Sequence, residues 1–441
     1  MKVFLNPFST MFQKVKIIVK IIPIVLFLGI CKGFSQASHC EMSFLQQVPR
    51  KNFFLLHQNH PSDMKHEESV FMTPKKSNVR SIHRLFDKTK VLWDFSRPHT
   101  FIGTGLSIPA IHFFAVPNFW TLPYLCSILF CWIPSGFINI YITGLNQIVD
   151  TEIDSINKPF LPIPSGQLSK RTASFIVGFS LLCSIGFVFS PVFQQSIYGT
   201  VALQRMIVLS ALFGTLYSIP PFRLKRFPIL ASFCILLVRG IILHFGFYQH
   251  ALTVAVSCLY PKVVSTVDCG IMPWKYINFF QVRKCTMLTA FFTIFSFVIA
   301  LMKDVPDVKG DARNSIKSFS VRKGPAFMFH FSNNLLSSLF IGTSVYLFYS
   351  LCSILQYENF LKNIVDAIIN GNNFWEEKKF IQQISFFICK FVISISAFAN
   401  GMILYRKGKK INIDDEKSTY NHYMFIWKLF YVSYLILPFL A

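Results

Sequence analysis

An acidic run that begins at Asn146 is the first part of this chain whose residue types and spacing are suited to chemistry. Asn146, Asp150 and Asp154 follow one another at intervals of four residues, so a continuous helix would place their side chains along one face. Amide and carboxylate oxygens are the ligands that Mg2+ prefers, and Mg2+ keeps other positions open for water and substrate phosphates. The run predicts a Mg2+ site, although a solvated helix end would explain a single acidic run equally well.

Lys158 follows this run and is placed to add positive charge. Pro159 disfavours helical backbone at the residue before it, so we expect the helix to end near Asn157 and to turn Lys158 outward. A lysine at that point could bind a phosphate group.

A second acidic run lies at the end of a later apolar segment. Asp304, Asp307 and Asp311 are spaced i, i+3 and i+7, which also places them on one helical face, although Pro306 is expected to bend that helix. Only 20 of the 441 residues are acidic. Two clusters at matching places in such a chain therefore indicate a function rather than a solvated surface.

The composition of the chain is that of an integral membrane protein. Hydrophobic residues make up 53% of the chain and charged residues 14%, and the mean hydropathy is +0.47. Soluble proteins do not tolerate this balance. The 11 cysteines are scattered singly without metal-ligand spacing, so we interpret them as small core residues.

The net charge of +23 allows two interpretations. Nucleic-acid binding would require a basic patch interleaved with aromatic residues, and the sequence has neither that pattern nor a nucleic-acid motif. A positive-inside bias combined with a site for an anionic substrate explains the charge. We therefore expect a lipid bilayer, and no nucleic acid, as a partner.

Apolar segments begin after Arg97, and about nine of them approach the roughly 20 residues that a bilayer requires. They lie at approximately 101–116, 119–145, 172–193, 204–219, 227–247, 285–302, 327–355, 380–404 and 422–441. The apolar stretch Ala251–Tyr260 is only about half as long, so we expect a loop there. The predicted fold is all-α, a polytopic membrane helix bundle with a central cavity.

These segments place both acidic runs on one side of the membrane. The first run follows the second segment, the basic turn Pro220–Arg226 follows the fourth, and the second run follows the sixth. Two crossings separate each from the next, so all of them should emerge on the same face, where basic residues are also enriched.

Two carboxylate clusters that face each other across a cavity can hold Mg2+ between them, and the cations would neutralise an organic diphosphate. Once departure of the diphosphate is stabilised, an allylic C1–O bond can ionise inside an apolar bundle. Basic side chains near the clusters could bind phosphate oxygens, namely Lys158, Arg223, Lys225, Arg226 and Lys303. The predicted catalytic carboxylates are Asp150, Asp154, Asp304 and Asp307.

Two other classes of protein share some of these features. Transporters place charges within the membrane near the transport pathway, whereas here the apolar segments are nearly free of acids and the carboxylates cluster at segment ends. A soluble-type prenyl chain synthase also uses two aspartate-rich runs, but such an enzyme needs no membrane spans.

The pattern NQxxDxxxDxxNKP together with KDxxDxxGD resembles the UbiA superfamily of intramembrane aromatic prenyltransferases. RPHTFIGTGLSI, NKPFLPIPSG and YSIPPFRLKR are similar to its plant plastid branch, which includes homogentisate phytyltransferase and flavonoid- and coumarin-prenylating relatives. The resemblance implies a nine-helix bundle, an isoprenyl diphosphate donor, Mg2+ and C-prenylation of a phenolic acceptor. It implies metal-binding positions at Asn146, Asp150, Asp154, Asp304, Asp307 and Asp311, and diphosphate-binding bases at Lys158, Arg223 and Lys303.

The same resemblance implies two sets of substrates. One is a dimethylallyl or geranyl donor with a flavonoid or coumarin acceptor, and the alternative is a phytyl or polyprenyl donor with homogentisate. Lys309 departs from the family pattern, at a place where relatives often have an acid.

Residues 1–85 have the composition of a targeting and linker region ahead of the membrane domain at 90–441. The apolar patch Ile17–Ile30 resembles a secretory signal as much as an organelle transit peptide. The plant branch implies a plastid membrane, and an endomembrane location is the alternative. The segments 248–284 and 356–379 are longer than a helix connection needs.

Overall fold

The regular structure of this protein is helical throughout the part that the computed structural model describes, which is residues 88–117, 121–259, 279–314, 316–356 and 374–440. A chain in lipid must satisfy its backbone N–H and C=O groups internally, and an α-helix does so within a single segment. The predicted all-α membrane bundle is confirmed. The expectations for residues 1–85 fall outside the described ranges.

The described bundle consists of long apolar helices joined by short helices and turns. In chain order the helices are α1 (Pro98–Ala115), α2 (Leu122–Val149), α3 (Thr151–Asn157), α4 (Lys170–Phe189), α5 (Val201–Ser218), α6 (Pro228–Ile235), a π-helical turn (Leu236–Ile242), α7 (Leu243–Leu259), α8 (Phe279–Lys303), α9 (Val308–Arg313), α10 (Phe319–Lys323), α11 (Pro325–Gln356), α12 (Phe374–Gly408) and α13 (Glu416–Ile436). Single helical turns occur at Pro191–Gln194, Leu224–Arg226 and Leu437–Leu440.

All of the predicted apolar segments form helices, and within the described ranges 8 of the resulting spans are long and apolar enough to cross a membrane. Helix α1, which corresponds to the first predicted segment, is not one of these. It packs against α2, α7 and α13, and Ile108, Ile111 and Ala115 on it are fully buried. Helix α1 therefore belongs to the interior of the bundle.

The loop predicted at Ala251–Tyr260 is wrong. Helix α6, the π-helical turn and α7 form one apolar stretch of 32 residues, Pro228–Leu259. The short apolar run lengthens the preceding helix and does not need to cross the bilayer alone, and Ala251 and Val254 on it are completely buried. The segment 248–284 thus starts inside a helix, and residues 260–278 of it lie outside the described part.

Aromatic rings between α8 and α13 fill the centre of the bundle. Phe292 stacks on Tyr434 with ring centroids 4.2 Å apart, and the edge of Phe430 meets Phe292 at 5.5 Å and Phe295 at 5.1 Å. Such pairs contribute about 0.5–1.5 kcal/mol each beyond the area that they bury. This packing fixes α8, whose last residue is Lys303, and so holds the start of the second acidic run in place.

Candidate active site

The two acidic runs meet in one cavity at the end of the bundle where α2 and α8 terminate. The cavity encloses about 690 Å3 of space between atoms, part of it open to solvent. Its charged and amide lining comprises five carboxylates, two amides and four cations, namely Asp150, Asp154, Asp304, Asp307, Asp311, Asn146, Asn157, Arg97, Lys158, Lys225 and Lys303. Residues more than 150 positions apart in the sequence thus surround a common space.

The first acidic run does not lie on one continuous helix. Helix α2 ends at Val149 and α3 begins at Thr151, while Asp150 between them has φ −96° and ψ 15°. Backbone hydrogen bonds still join Asp150 to Asn146 (2.9 Å) and Asp154 to Asp150 (2.7 Å), so the bend is small enough for all three side chains to reach the cavity. Helix α3 ends at Asn157, as Pro159 predicted.

The second acidic run is also divided. Helix α8 ends at Lys303, Asp304 lies in the turn that follows, and Asp307 is the N-cap of α9. The predicted single helical face is wrong, because Pro306 interrupts the helix and does not merely bend it. The turn nevertheless delivers Asp304, Asp307 and Asp311 to the cavity.

Each cation around the first run contacts a carboxylate or an amide oxygen. Lys225 Nζ donates to Asp150 Oδ1 and, at 3.2 Å, to Asn146 Oδ1, while Arg223 donates to Asp150 Oδ1 at 3.2 Å. Arg97 reaches Asp154 Oδ2 at 3.5 Å. The sequence reasoning gave Arg97 no role, because it lies at the start of α1, far from both runs in the sequence.

Lys158 points into the cavity, so the prediction that it turns outward is wrong. Its Nζ donates to Asp307 Oδ2 of the second run, and only 8% of the residue is exposed. The end of α3 aims the side chain at the opposite loop, where the carboxylate compensates its charge. Lys158 therefore links the two acidic runs directly. Arg226, in contrast, is exposed.

Asn157 makes a second link between the runs, which the sequence reasoning also missed. Its side-chain Nδ2 donates to the Asp307 carbonyl at 3.0 Å, and the Gly310 N–H donates to its Oδ1 at 2.8 Å. A Cβ at Gly310 would lie 2.3 Å from that Oδ1, so only glycine permits the contact. We call these interactions of Asn157 with Asp307 and Gly310 the loop clasp.

Burial shifts the pKa of three carboxyl groups and of one lysine in the cavity. Burial raises the pKa of Asp304 to about 7, although Lys303 opposes the shift, and raises the pKa of Asp311 to about 6 with a contribution from Asp307. Burial likewise raises the pKa of Asp154. It lowers the pKa of Lys225 to about 8, although Asp150 opposes that shift. A bound cation would thus favour the deprotonated, charged form of these carboxyl groups.

Lys309, the departure from the family pattern, lies outside the cavity. Its side chain is 80% exposed and pairs with Glu416 at 2.7 Å. An exposed ion pair of this kind contributes little to stability. Because Lys309 lies outside the cavity, the substitution leaves the lining of the cavity unchanged.

The chain is similar in sequence to one family of known proteins. Residues 103–359 match the model of the UbiA prenyltransferase family. The chain is 34% identical over 359 residues to homogentisate phytyltransferase 1, chloroplastic, from Arabidopsis thaliana, covering 80% of this chain and 76% of the relative. It is 30% identical over 347 residues to glycinol 4-dimethylallyltransferase from Glycine max, covering 78% of this chain and 70% of the relative.

Among solved structures, a UbiA homolog from Archaeoglobus fulgidus bound to GPP and Mg2+ matches with 14% sequence identity and a TM-score of 0.44. The match covers 79% of this chain and 99% of that chain.

Proposed function

Because this chain belongs to the UbiA prenyltransferase family and is an aromatic prenyltransferase, we propose that it transfers a prenyl group from an isoprenyl diphosphate to an aromatic carbon of homogentisate or a closely related phenol. The observation that carries the proposal is the cavity in which carboxylates of both acidic runs and cations face each other. Such a lining suits a ligand that combines phosphate groups with divalent cations.

The relatives favour homogentisate over the flavonoid or coumarin acceptor expected first from the sequence. The named homogentisate phytyltransferases reach 34% identity. Glycinol 4-dimethylallyltransferase, at 30%, supports a dimethylallyl donor with a flavonoid-type acceptor as the second candidate. The chloroplastic relatives support a plastid membrane as the location.

The donor set of the cavity fits Mg2+. Five carboxylates and the amide oxygen of Asn146 line the cavity, and these are hard oxygen ligands. Burial of Asp304 and Asp311 raises the pKa of both groups. The residues that would hold the metal are Asn146, Asp150, Asp154, Asp304, Asp307 and Asp311. Bound Mg2+ would supply positive charge that stabilises the departing diphosphate.

The cations of the site would change partners when the donor binds. Lys225 and Arg223 now donate to Asp150, and Lys158 donates to Asp307. In our proposal these side chains, with Lys303, would donate to phosphate oxygens, which would leave the carboxylates available to hold the metal. Charge-assisted hydrogen bonds to the diphosphate then grow stronger as negative charge develops on it.

The bond changes follow from this placement. The C1–O bond of the donor breaks and its electron pair leaves on the diphosphate, while the ring carbon of the phenol bonds to C1. Loss of the ring proton, for which the released diphosphate is a nearby base, restores aromaticity. The apolar bundle below the cavity excludes water, which would otherwise capture the allylic cation.

Membranes that contain the full chain provide the test. Labelled prenyl diphosphates of several lengths are incubated with homogentisate, a flavonoid and Mg2+, with EDTA in parallel. We expect a labelled phenol only with Mg2+, and labelling that persists in EDTA would contradict the mechanism. Asp414→Ala is a matched control for the aspartate variants, because Asp414 is exposed and outside the cavity.

A further inference from the structure

Arg239 is a cation inside the membrane-spanning stretch Pro228–Leu259. It lies in the π-helical turn Leu236–Ile242, and its guanidinium carbon is 5.2 Å from the centre of the Trp427 ring. No residue that the structure describes gives this guanidinium an ion pair or a hydrogen bond. A charged side chain within a membrane bundle is costly and marks a functional site, and π-helical turns are frequent at such sites.

Among the residues that the structure describes, the side chains that interact electrostatically with Arg239 are aromatic. They are the phenols of Tyr423, Tyr431 and Tyr434 and the imidazole of His99. Two of these phenols already have partners, since Tyr431 donates to the His99 carbonyl at 2.8 Å and Tyr434 lies 2.7 Å from His244 Nε2. Ring faces around one uncompensated cation suit an aromatic ligand that carries an anionic group.

This group of aromatic side chains around Arg239 adjoins the cavity of the acidic runs. Ile235 lines the cavity, and Arg239 lies one helical turn further into the membrane, about 6 Å along the helix axis. His99 connects the same two regions, because it follows the cavity residue Arg97 by two positions and its ring is 5.1 Å from that of Trp427. A small arene held at Arg239 would therefore extend toward the reacting carbon of a bound donor.

We propose that Arg239 binds the carboxylate of the aromatic acceptor, and that Trp427 supports the guanidinium from its other face. The inference rests on the proposed prenyl transfer. An unpaired guanidinium would oppose an allylic cation forming nearby, since like charges repel strongly in a medium of low dielectric constant. A carboxylate between them removes that repulsion and orients the ring. The acceptor class is thus a hydroxylated aryl acid such as homogentisate, and not a neutral flavonoid.

The experiment compares an acid with its neutral ester. The full chain in lipid nanodiscs receives the labelled donor and either homogentisate or homogentisate methyl ester, and KM and kcat are measured for the wild type, Arg239→Gln and Arg239→Lys. The matched control is Arg205→Gln, because Arg205 is an exposed arginine on the spanning helix α5. Donor binding by each variant shows that the bundle is folded.

We expect Arg239→Gln to raise KM for homogentisate by at least about tenfold, because the variant loses one charged hydrogen bond to the acceptor. KM for the ester and KM for the donor should hardly change. Arg239→Lys should recover part of the loss, and Arg205→Gln should behave as the wild type. Equal losses for acid and ester, or no loss, would overturn the inference.

The wild type alone also tests the proposal, in case Arg239→Gln does not fold. It should prefer the acid to the ester by about tenfold or more, and equal use of both acceptors would refute a carboxylate site. If the wild type transfers a prenyl group to neither acceptor, the proposed function fails instead. Equilibrium binding of homogentisate to the wild type and to Arg239→Lys would then still decide whether Arg239 binds a carboxylate.

Discussion

Removal of the loop clasp should weaken the proposed metal and donor site without unfolding the bundle. Asn157→Ala deletes the bond to the Asp307 carbonyl (3.0 Å) and the bond from the Gly310 N–H (2.8 Å). Both partners are buried residues, so their polar groups lose partners inside the protein. At about 1 kcal/mol for each hydrogen bond, the pair contributes about 2 kcal/mol, which corresponds to about 30-fold in an equilibrium constant.

This loss should appear in the Mg2+ dependence of prenyl transfer. The loop clasp holds Asp307 opposite the first acidic run. Without the clasp, binding of Mg2+ must also bring the two runs together, and this cost weakens the binding. We expect the Mg2+ concentration for half-maximal activity to rise by about 30-fold in Asn157→Ala. Membrane insertion and yield should stay unchanged, because the central aromatic packing does not involve Asn157.

A double-mutant cycle with Gly310→Ala makes the prediction specific. The added Cβ would lie 2.3 Å from Asn157 Oδ1, so the single variant should also lose the clasp. In the Asn157→Ala background the obstructing oxygen is absent, and Gly310→Ala should add little further loss. Gly186→Ala is the control, since a Cβ there meets nothing within 4 Å. Fully additive losses of the two single variants would refute the clasp.

The remaining predictions concern the cavity itself. Asp150→Ala and Asp304→Ala should each abolish turnover while the protein still inserts into membranes, and wild-type turnover in both would refute their metal role. The Mg2+ concentration for half-maximal activity should fall as pH rises from 6 to 8, because a carboxyl group must lose its proton to bind a metal. Burial raises the pKa of Asp304 to about 7 and that of Asp311 to about 6. A constant Mg2+ concentration for half-maximal activity over this range would argue against both ligands. Lys309→Ala should leave kcat and KM within about twofold, because its pair with Glu416 is exposed.

Much of the fold could be predicted from the sequence because membrane helices obey a simple physical rule. A segment must be apolar and long enough to cross the bilayer, and every predicted segment is helical within the part of the chain that the structure describes. The rule failed at Ala251–Tyr260, where length alone could not tell a short span from the extension of a long one.

All of the charged cavity residues except Arg97 could be predicted from the sequence, but their arrangement could not. Spacing suggested continuous helices through Asp150 and Pro306, whereas local backbone geometry divides both runs. The inward direction of Lys158 and the clasp of Asn157 depend on Asp307 and Gly310, about 150 residues away. Such contacts are determined by tertiary packing. The periodicity of side chains along one segment does not predict that packing.

The loop clasp has a consequence for how a lipid substrate reaches the chemistry. Since Asn157 and Lys158 both bond the first acidic run to the second, we expect the two runs to stay together while a donor enters. A donor with a long hydrocarbon chain would then enter the cavity laterally from the bilayer, between neighbouring helices. Its diphosphate group would reach the cavity last, and the hydrocarbon tail could remain in the lipid during the reaction.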